Sequence, residues 1–380
     1  MGFKQLIINP GSTSTKLALY EGKEKVVQES VEHDAAQMQQ FRGIADQIPF
    51  RTEIVQAFME KNHIQAGELS AVVARGGLLP GLKTGGYLVN DELCRALVDN
   101  RLSQPHPSNL AALLARNIAA PLGIPAYIYD AVTSSELPLV ARITGTTDIL
   151  RQSYCHALNS RAMAIRYAES QGVPYAQLRL IVVHMGGGIS LSAHIDGKIV
   201  DSIGDDEGPF SPERGGSLPA FELVRMCYSG KYTMEEMQKK LRGTGGMYAH
   251  LGTSDCRVIE ERIQSGDAQT ELIFQAQAYQ IAKGIGELSA ALRGRCDAVI
   301  LTGGLAYSKM LTELICGYLW FIGPVVVLPG ENEMEALAYG GLRILSGEET
   351  AQIYSIPQNE SACSHASPDP QAHSEKDGLL

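Results

Sequence analysis

The stretch LIINPGSTSTKLALYEGK, residues 6–23, places a turn of Pro, Gly, Ser and Thr between an apolar strand and an alternating strand. The same design returns in the second half of the chain as LIVVHMGGGISLSAHIDGKIV, residues 180–200. Each copy predicts a strand, a tight glycine-containing turn and a second strand that ends at EGK or DGK. The sequence therefore predicts one structural unit that occurs twice.

A gap-free alignment of the two copies has an offset of 175 residues and places Asn9 on His184 and Gly11 on Gly186. Pro, Gly and hydroxyl residues are ordinary turn formers, so a single copy would be explained equally well by a plain hairpin. Glycines also let backbone N–H groups converge on an anion, above all on phosphate. Two such turns, one in each half, favour two halves that face one ligand.

The length of 380 residues is too great for one ordinary core, and the repeat predicts two domains at 1–148 and 149–334. Strands that alternate with helices predict an α/β architecture with a mixed sheet. A last helix at about 335–348 either belongs to the second domain or packs back on the first. Residues 355–380 are poor in apolar side chains and rich in Ser, Pro and Gln, which predicts a disordered tail.

The composition excludes several functional classes. The formal net charge of −10 argues against nucleic acid or an acidic membrane as a partner, because both require a basic surface. The seven cysteines are scattered without a C-x-x-C pair, which indicates reduced thiols rather than disulfides or a zinc site. Neither a signal peptide nor a membrane-spanning segment is predicted. A cytoplasmic location is therefore expected.

Polar residues recur at the ends of predicted strands and in Gly/Pro loops, where a sheet presents side chains to a cleft. Each one alone has a structural explanation as a surface residue, a loop histidine or a turn cap. Together they form an inventory suited to phosphoryl transfer, which needs positive donors around the phosphate oxygens and a carboxylate-bound magnesium ion. The set consists of Asn9, Arg75, His106, Asp130, His156, Arg214 and the acidic cluster ENEME at 331–335.

These motifs resemble those of the acetokinase family, the acetate and butyrate kinases, within the wider superfamily of sugar kinases, heat-shock protein 70 and actin. The resemblance extends from Leu6 to about Leu345 in the same motif order, through NPGSTSTK, ARGG, HPSN, HMGGGIS, TSDCR, TGGLA and ENEMEAL. It implies an α/β fold of two duplicated ribonuclease H-like domains, of the actin, hexokinase and acetate kinase type, around a central cleft. It also implies ATP and Mg²⁺ as cofactors, and a homo-oligomer is expected.

The resemblance implies a role for each matched residue. The expected catalytic residues are Arg75, His106, Asp130, His156 and Arg214. The expected nucleotide-binding residues are Gly11, Ser12, Ser14, Lys16, His184, Gly186, Gly187, Gly188, Asp255, Arg257, Gly303 and Gly304. The expected metal-binding residues are Asn9 and Glu333, with Glu335 as the alternative to Glu333.

Two departures from the acetate kinase pattern bear on the substrate. Gly77 stands where acetate kinases carry Val, and Cys155 stands where they carry Phe. Both changes are expected to leave room for a longer acyl chain, and each additional buried methylene would stabilise binding by about 0.8 kcal/mol. The expected reaction is the ATP-dependent phosphorylation of butanoate, with isobutyrate, propionate or acetate as alternative acceptors.

Two other functions share parts of this pattern. A nucleotide-switched binding module would keep the phosphate turns but would not need two arginines and two histidines beside them. A sugar kinase would need an aspartate as general base toward a hydroxyl group. A carboxylate acceptor is already ionised at neutral pH, so the paired Arg75 and Arg214 favour an acid over a sugar.

Overall fold

The structure is a computed structural model that describes residues 2–11, 13–38, 40–41, 43, 45–79, 81–99 and 106–356. The strands in these ranges are β1 (Lys4–Pro10), β2 (Ser14–Glu21), β3 (Glu24–Glu32), β4 (Ala71–Arg75), β5 (Gly86–Leu88), β6 (Ala126–Tyr129), β7 (Leu180–Met185), β8 (Ile189–Ile195), β9 (Lys198–Ile203), β10 (Ala298–Gly303), β11 (Val325–Pro329) and β12 (Gln352–Ile353). The helices are α1 (Ala35–Met38), α2 (Ile48–Lys61), α3 (Asp91–Val98), α4 (Asn109–Ala119), α5 (Leu139–Arg142), α6 (Ala157–Gln171), α7 (Ala220–Cys227), α8 (Met234–Leu241), α9 (Gly246–Leu251), α10 (Cys256–Gln264), α11 (Ala268–Ala291), α12 (Lys309–Tyr318) and α13 (Glu333–Leu345).

The strands form two sheets that share one topology. The first has the order β12-β5-β6-β4-β1-β2-β3, and the second has the order β11-β10-β7-β8-β9. In each sheet three antiparallel strands are followed by two parallel ones, so β3-β2-β1-β4-β6 corresponds to β9-β8-β7-β10-β11. The predicted α/β fold with two duplicated ribonuclease H-like halves is confirmed. Strands β5 and β12 are additions at one edge of the first sheet.

The two hairpin turns differ in length, which corrects the gap-free alignment. In the first, the N–H of Gly11 donates to the carbonyl of Ser14, whereas in the second the N–H of Gly186 donates to Gly188. The second turn is therefore one residue shorter. Both copies carry an irregularity in the following strand, between Leu19 and Tyr20 and between Ala193 and His194, which corresponds to an offset of 174 rather than 175.

Each sheet is covered by helices on both faces. The central strands β7 and β10 are buried along their whole length, as expected for strands between two helical layers. Helix α4 packs on the first sheet, where Leu110 and Leu114 join the core with Val72. Helices α11 and α12 cover one face of the second sheet, and α6 covers the other.

Helix α13 packs against the first sheet, although it follows the second in sequence. Leu337 lies in one apolar cluster with Ile7 and Val73. Gly340 permits the close approach, because a Cβ atom there would lie 2.5 Å from the ring of Tyr129. The domain bounds at 1–148 and 149–334 stay a prediction.

A buried polar network connects α13 with helix α6. Glu349 accepts hydrogen bonds from Arg161 Nη2 at 2.7 Å, from Arg343 Nε at 3.0 Å and from the hydroxyl of Tyr129 at 2.6 Å. Arg161 belongs to α6, which packs on the second sheet, while Tyr129 ends a strand of the first. The two halves are therefore joined by charged, partly buried hydrogen bonds.

Of the predicted disordered tail 355–380, only Ser355 and Ile356 lie within the described residues. Ile356 packs against the first core, and its N–H donates to Glu92 Oε1 at 2.7 Å. In the part of the chain that the structure describes, no helix is both long enough and apolar enough to cross a membrane. The expected cytoplasmic location stays a prediction.

The pH dependence of stability is expected to depend on His194, which is fully buried in β8 between the hydroxyls of Tyr175 and Ser192. Burial first, and then the charge of Arg161, lowers the pKa of His194 to about 3. Below the unfolded value of about 6.5 the unfolded chain therefore binds a proton that the folded one does not, so stability falls with decreasing pH. The loss is about 2 kcal/mol at pH 5.

In a His194→Gln variant, we expect the difference in unfolding free energy between pH 7.5 and pH 5 to shrink by about 2 kcal/mol. Urea unfolding at both pH values measures the unfolding free energy. His63→Asn is the control, because His63 is exposed. An unchanged pH dependence in the His194 variant would contradict the assignment.

Candidate active site

The first part of the site lies where strands β1 and β4 end. Asn9 at the end of β1 is 4% exposed, and its Nδ2 donates to Glu333 Oε2 at 2.8 Å. Arg75 at the end of β4 pairs with the other oxygen, with Nη1 to Oε1 at 2.9 Å. Glu333 is the first residue of α13 and thereby joins this helix to both strand ends.

The two candidate metal carboxylates on α13 lie in different surroundings. Glu333 contacts Asn9 and Arg75, whereas Glu335 borders a cavity with Lys23, Arg166 and Tyr339 on another side of the helix. The structure therefore places Glu333, and not Glu335, among the other candidate residues.

The first hairpin presents Lys16 at its exposed side, opposite Asn9 in the β1–β2 register. The charge of Lys16 acts on Glu331, where it helps to lower the pKa of that carboxyl. Glu331 stands next to the second hairpin, so the two turns face a common region. Ser12, which was predicted to bind nucleotide, lies outside the described residues.

Two of the three glycines of the second hairpin lie close to charged side chains. A Cβ atom at Gly186 would lie 2.7 Å from Glu331 Oε1, and one at Gly188 would lie 2.7 Å from Arg214 Cζ. The charged groups of Glu331 and Arg214 thus approach the backbone of the turn directly. A larger residue at either position would displace the end of that charged side chain.

His184, at the end of β7, has its tautomer fixed by two neighbours. Asn159 Nδ2 donates to His184 Nδ1 at 2.9 Å, and His184 Nε2 lies 3.2 Å from Glu331 Oε1. Nδ1 therefore accepts, and Nε2 carries the proton that faces the carboxylate. The hydrogen bond from His184 is the first cause of the lowered pKa of Glu331.

His156 stacks on His184, with ring centroids 3.8 Å apart and ring planes 12° from parallel. Ser190 Oγ accepts from the backbone N–H of His156 at 3.1 Å and lies 2.8 Å from Nδ1. Ser190 Oγ thus fixes the orientation of the His156 ring through Nδ1. Burial first, and then the neighbouring His184, Arg75 and Arg214, hold the pKa of His156 well below 6.5.

Two further candidate residues belong to this group: Arg214 from the second half of the chain and His106 from the first. Arg214 Nη1 pairs with Asp205 Oδ2 at 2.8 Å, and Arg242 Nη2 pairs with Asp205 Oδ1 at 2.8 Å. His106 Nδ1 lies 2.7 Å from Ser108 Oγ. Desolvation first, and then the charges of Arg75, Arg214 and Arg242, lower the pKa of His106. Arg75 and Arg214 therefore act on the same two histidines, although they belong to different halves of the chain.

Asp130 is not in contact with this group. Its Oδ1 accepts from the N–H of Gly85 at 2.7 Å, and its Oδ2 pairs with Arg161 Nη1 at 3.3 Å. Burial first raises the pKa of Asp130, which the charge of Arg161 opposes. The structure thus places Asp130 in the buried network of Arg161 and Tyr129, and its expected catalytic role stays a prediction.

A cavity of about 550 Å³ opens beside the second hairpin. Its lining includes Gly186, Gly187, Gly304, Ser254, Tyr307 and Glu331. Gly303, which precedes Gly304, has a positive φ of 88° and is positioned by mutual backbone hydrogen bonds with Gly330. Of the predicted nucleotide residues, three glycines therefore line one space.

Asp255 and Arg257 have a different environment from the one expected. Asp255 caps α10 and accepts from the N–H of Arg257 at 3.0 Å, and the two side chains form an ion pair at 2.7 Å. The Arg257 side chain is 86% exposed. Their neighbour Ser254 lines the cavity instead, with its hydroxyl 3.2 Å from Glu213 Oε1.

The space expected at Gly77 and Cys155 is already filled. A Cβ atom at Gly77 would lie 2.5 Å from Asn109 Oδ1 and 3.0 Å from the Asn109 Cα atom. Gly77 does not have a positive φ, so packing against α4 explains the glycine. Cys155 is 1% exposed and is packed with Ala157 and Ile199. The interpretation of both residues as room for an acyl chain is therefore wrong.

Sequence reasoning missed several polar partners in the site. Glu331 was available as the first residue of ENEME, but its contact with His184 depends on tertiary structure. Asn159 and Asp205 belong to no recognised motif. Asn159 contacts His184, 25 residues away in sequence, and Asp205 contacts Arg214, 9 residues away.

Comparisons with known proteins identify the family of this chain. Residues 146–364 match the model of the acetokinase family. The chain is 48% identical over 353 residues to a protein of Caldanaerobacter subterraneus subsp. tengcongensis named "Probable butyrate kinase 2", covering 93% of this chain and 99% of that one. The chain belongs to the acetokinase family.

Two further comparisons extend this result. "Butyrate kinase 1" of Clostridium acetobutylicum is 44% identical over 354 residues, with 93% of this chain and 99% of that one covered. The crystal structure of Porphyromonas gingivalis acetate kinase superimposes with a TM-score of 0.77 at 20% identity, covering 90% of this chain and 100% of that one. The latter shows that the fold is shared.

The packing at Gly77 gives a testable consequence. Gly77→Val should lower the free energy of unfolding by about 1–3 kcal/mol, because the new side chain overlaps the backbone of α4. Gly67→Val is the matched control, since a Cβ atom there would meet nothing within 4 Å. Urea unfolding measures both, and equal stability of the two variants would contradict the assigned contact.

Proposed function

We propose that this protein is a butyrate kinase that catalyses butanoate + ATP = butanoyl phosphate + ADP. Relatives with this name at 48% and 44% identity support the proposal. The observation that carries it in the structure is the position of Arg75 and Arg214, whose charges act from opposite halves on the neutral His156. This arrangement suits a reaction in which negative charge develops between the two halves.

The proposed nucleotide site is formed by the two hairpins and the cavity beside them. Gly11, Ser14 and Lys16 would contact phosphates from one side, and Gly186, Gly187 and Gly188 from the other. Gly303 and Gly304, with Ser254 and Tyr307, suit the adenosine portion, since Gly304, Ser254 and Tyr307 line the cavity. Asp255 and Arg257 would contact adenosine only after exchange of their mutual ion pair.

The residues at the strand ends fit a magnesium ion. Mg²⁺ is usually held by one or two carboxylates together with substrate phosphates rather than by a full protein cage. Within the described ranges, no group of three or more His, Cys, Asp or Glu side chains is arranged to hold a metal. Glu333 supplies a carboxylate, and Asn9 uses its amide nitrogen on Glu333, which leaves its oxygen for the ion. When bound, Mg²⁺ would neutralise charge on the transferred phosphoryl group.

The proposed chemistry needs no general base, because the acceptor carboxylate is ionised at neutral pH. A carboxylate oxygen of butanoate forms a bond to the γ-phosphorus as the bond from phosphorus to the ADP oxygen breaks. Arg75 and Arg214 would orient the acid and donate to the phosphoryl oxygens. His156 would donate its Nε2–H as a neutral group, since burial beside two arginines disfavours its charged form.

His106 and Asp130 have different parts in this proposal. His106 would donate a further hydrogen bond beside Arg75 and Arg214, whose charges lower its pKa. Asp130 is satisfied by Gly85 and Arg161, so we assign it a structural role in the network that joins the halves.

A homo-oligomer is also proposed. Helix α7 has no buried residue; its Phe221 and Val224 are 85% and 54% exposed, and Tyr228, directly after the helix, is 88% exposed. An apolar helix face of this kind is typical of a surface that a partner covers.

The test of the function is ATP-dependent formation of acyl hydroxamate from acetate, propionate, butyrate, isobutyrate and valerate. We expect product from butyrate with the highest kcat/KM, and loss of activity when EDTA removes Mg²⁺. Higher kcat/KM with another acid would assign that acid as the substrate. No product from any acid would contradict the proposal.

Arg75→Ala and Arg214→Ala should each lose at least about 3 kcal/mol of transition-state stabilisation, on the order of 100-fold in kcat/KM. Steady-state kinetics measure the loss, and Arg95→Ala on the exposed side of α3 is the control. A folded variant at either site with near-normal kcat/KM would remove that arginine from the mechanism.

A further inference from the structure

Arg51 lies in the first turn of α2 with no exposed surface, directly behind the first hairpin. Its Nη2 donates to the carbonyl of Gly11 at 2.8 Å, and its Nη1 donates to the carbonyl of Ser14 at 3.1 Å. Nη1 also donates to Thr15 Oγ1 at 2.8 Å, and Nε donates to Gln47 Oε1 at 3.0 Å. The guanidinium therefore holds both ends of the turn from inside the protein.

The charge of Arg51 has no carboxylate partner among the described residues, and all four of its acceptors are neutral. Desolvation lowers the pKa of Arg51 to about 10, which still leaves it charged at neutral pH. Burial of an unpaired charge is unfavourable unless something else compensates it. The other buried arginine of the structure, Arg161, pairs with Asp130 and Glu349.

The surroundings of Arg51 do not supply a hidden negative charge. Thr15 Oγ1 lies 2.9 Å from His33 Nε2, and because it accepts from Arg51 its own proton is directed to that nitrogen. Burial first, and then the charge of Arg51, lower the pKa of His33. The neighbouring histidine is thus neutral at neutral pH, and the positive charge behind the turn is not shared.

The second hairpin has a different support. There the carbonyl of Gly187 accepts from the hydroxyl of Ser211 at 2.7 Å, which is a neutral contact. Arg214 also approaches the second turn, but its side chain is 36% exposed and is paired with Asp205. In the described part of the chain, the first turn alone has a fully buried cation without a carboxylate partner behind it. This difference indicates that the charge of Arg51, and not only its hydrogen bonds, has a function at the first turn.

We propose that Arg51 is a positioning residue of the first hairpin, which fixes the turn and supplies a buried positive charge for a bound phosphate group. This inference rests on the proposed function, in which Gly11 to Lys16 contact the nucleotide phosphates. An anion on the outer side of the turn compensates the buried cation, so ligand binding and the charge of Arg51 stabilise each other. Butanoate binding, which involves Arg75 and Arg214, does not depend on it.

The test compares Arg51→Met, which removes the charge, with Arg51→Lys, which keeps it without the planar fork. Lys61→Met is the control on the same helix, because Lys61 is exposed and pairs with Glu29. In each protein, KM for ATP, KM for butyrate and kcat are measured. The rise in thermal midpoint caused by ADP and by inorganic pyrophosphate is measured separately.

We expect Arg51→Met to raise KM for ATP by at least tenfold, to leave KM for butyrate within twofold and to reduce the midpoint rise caused by both ligands. Arg51→Lys should recover part of each effect, and Lys61→Met should behave as wild type. A folded Arg51→Met protein that keeps the full midpoint rise and the KM for ATP would overturn the proposal, even if its stability without ligand were lower.

If Arg51→Met does not fold, the KM for ATP of Arg51→Lys and Thr15→Val tests the proposal instead, since each variant weakens the hydrogen bonds between residue 51 and the first turn. Wild-type KM for ATP in both would overturn the inference. A wild-type protein that shows the ADP effect but makes no acyl hydroxamate would refute the proposed function while leaving the test of Arg51 intact.

Discussion

The site depends on two tight turns that end the central strands of the two sheets. In each, the N–H of a glycine closes a short backbone ring, from Gly11 to Ser14 and from Gly186 to Gly188. Because these strands lie at equivalent places in duplicated sheets, both turns emerge at corresponding edges. The charged ends of Glu331 and Arg214 then approach Gly186 and Gly188 so closely that a Cβ atom there would displace them.

Electrostatics set the protonation of the groups between these turns. His156 is buried against His184 and lies near two arginines, so its neutral form is favoured. Ser190 fixes the ring orientation of His156, and Asn159 fixes the tautomer of His184. The site thus combines fixed positive charge with neutral donors whose direction is set before a ligand binds, which limits reorganisation during the reaction.

The fold could be predicted from the sequence because its signals are local. Apolar strands, glycine turns and alternation depend on neighbouring residues, and they identified both hairpins and the repeated unit. The sequence also singled out Arg75 at the end of β4 and His106, His156 and Arg214 in loops, where an α/β sheet presents polar side chains to a cleft.

The features that the sequence analysis did not predict depend on contacts between distant parts of the chain. The second turn is one residue shorter than the first, which similar strands on either side concealed. Asp130 is paired by Arg161, and Gly77 is packed by Asn109, each 31 or 32 residues away in sequence. Arg51 lies in α2 and belongs to none of the motifs that the sequence analysis identified. No periodicity reports which side chain from another element will fill a space or neutralise a charge.

The two fully or nearly buried arginines show why charge pairing has to be considered separately from hydrogen bonding. Arg161 is surrounded by Asp130 and Glu349, so its charge is balanced within the protein and serves to join the two halves. Arg51 donates four hydrogen bonds and Arg161 three, but every acceptor of Arg51 is neutral, so its positive charge remains effective beyond its contacts. A balanced buried charge stabilises the fold mainly through geometry, whereas an unbalanced one behind a glycine turn also changes the affinity of that turn for anions. The same residue type therefore has a structural part at Arg161, where the two halves of the chain meet, and an electrostatic part at Arg51, behind the first hairpin.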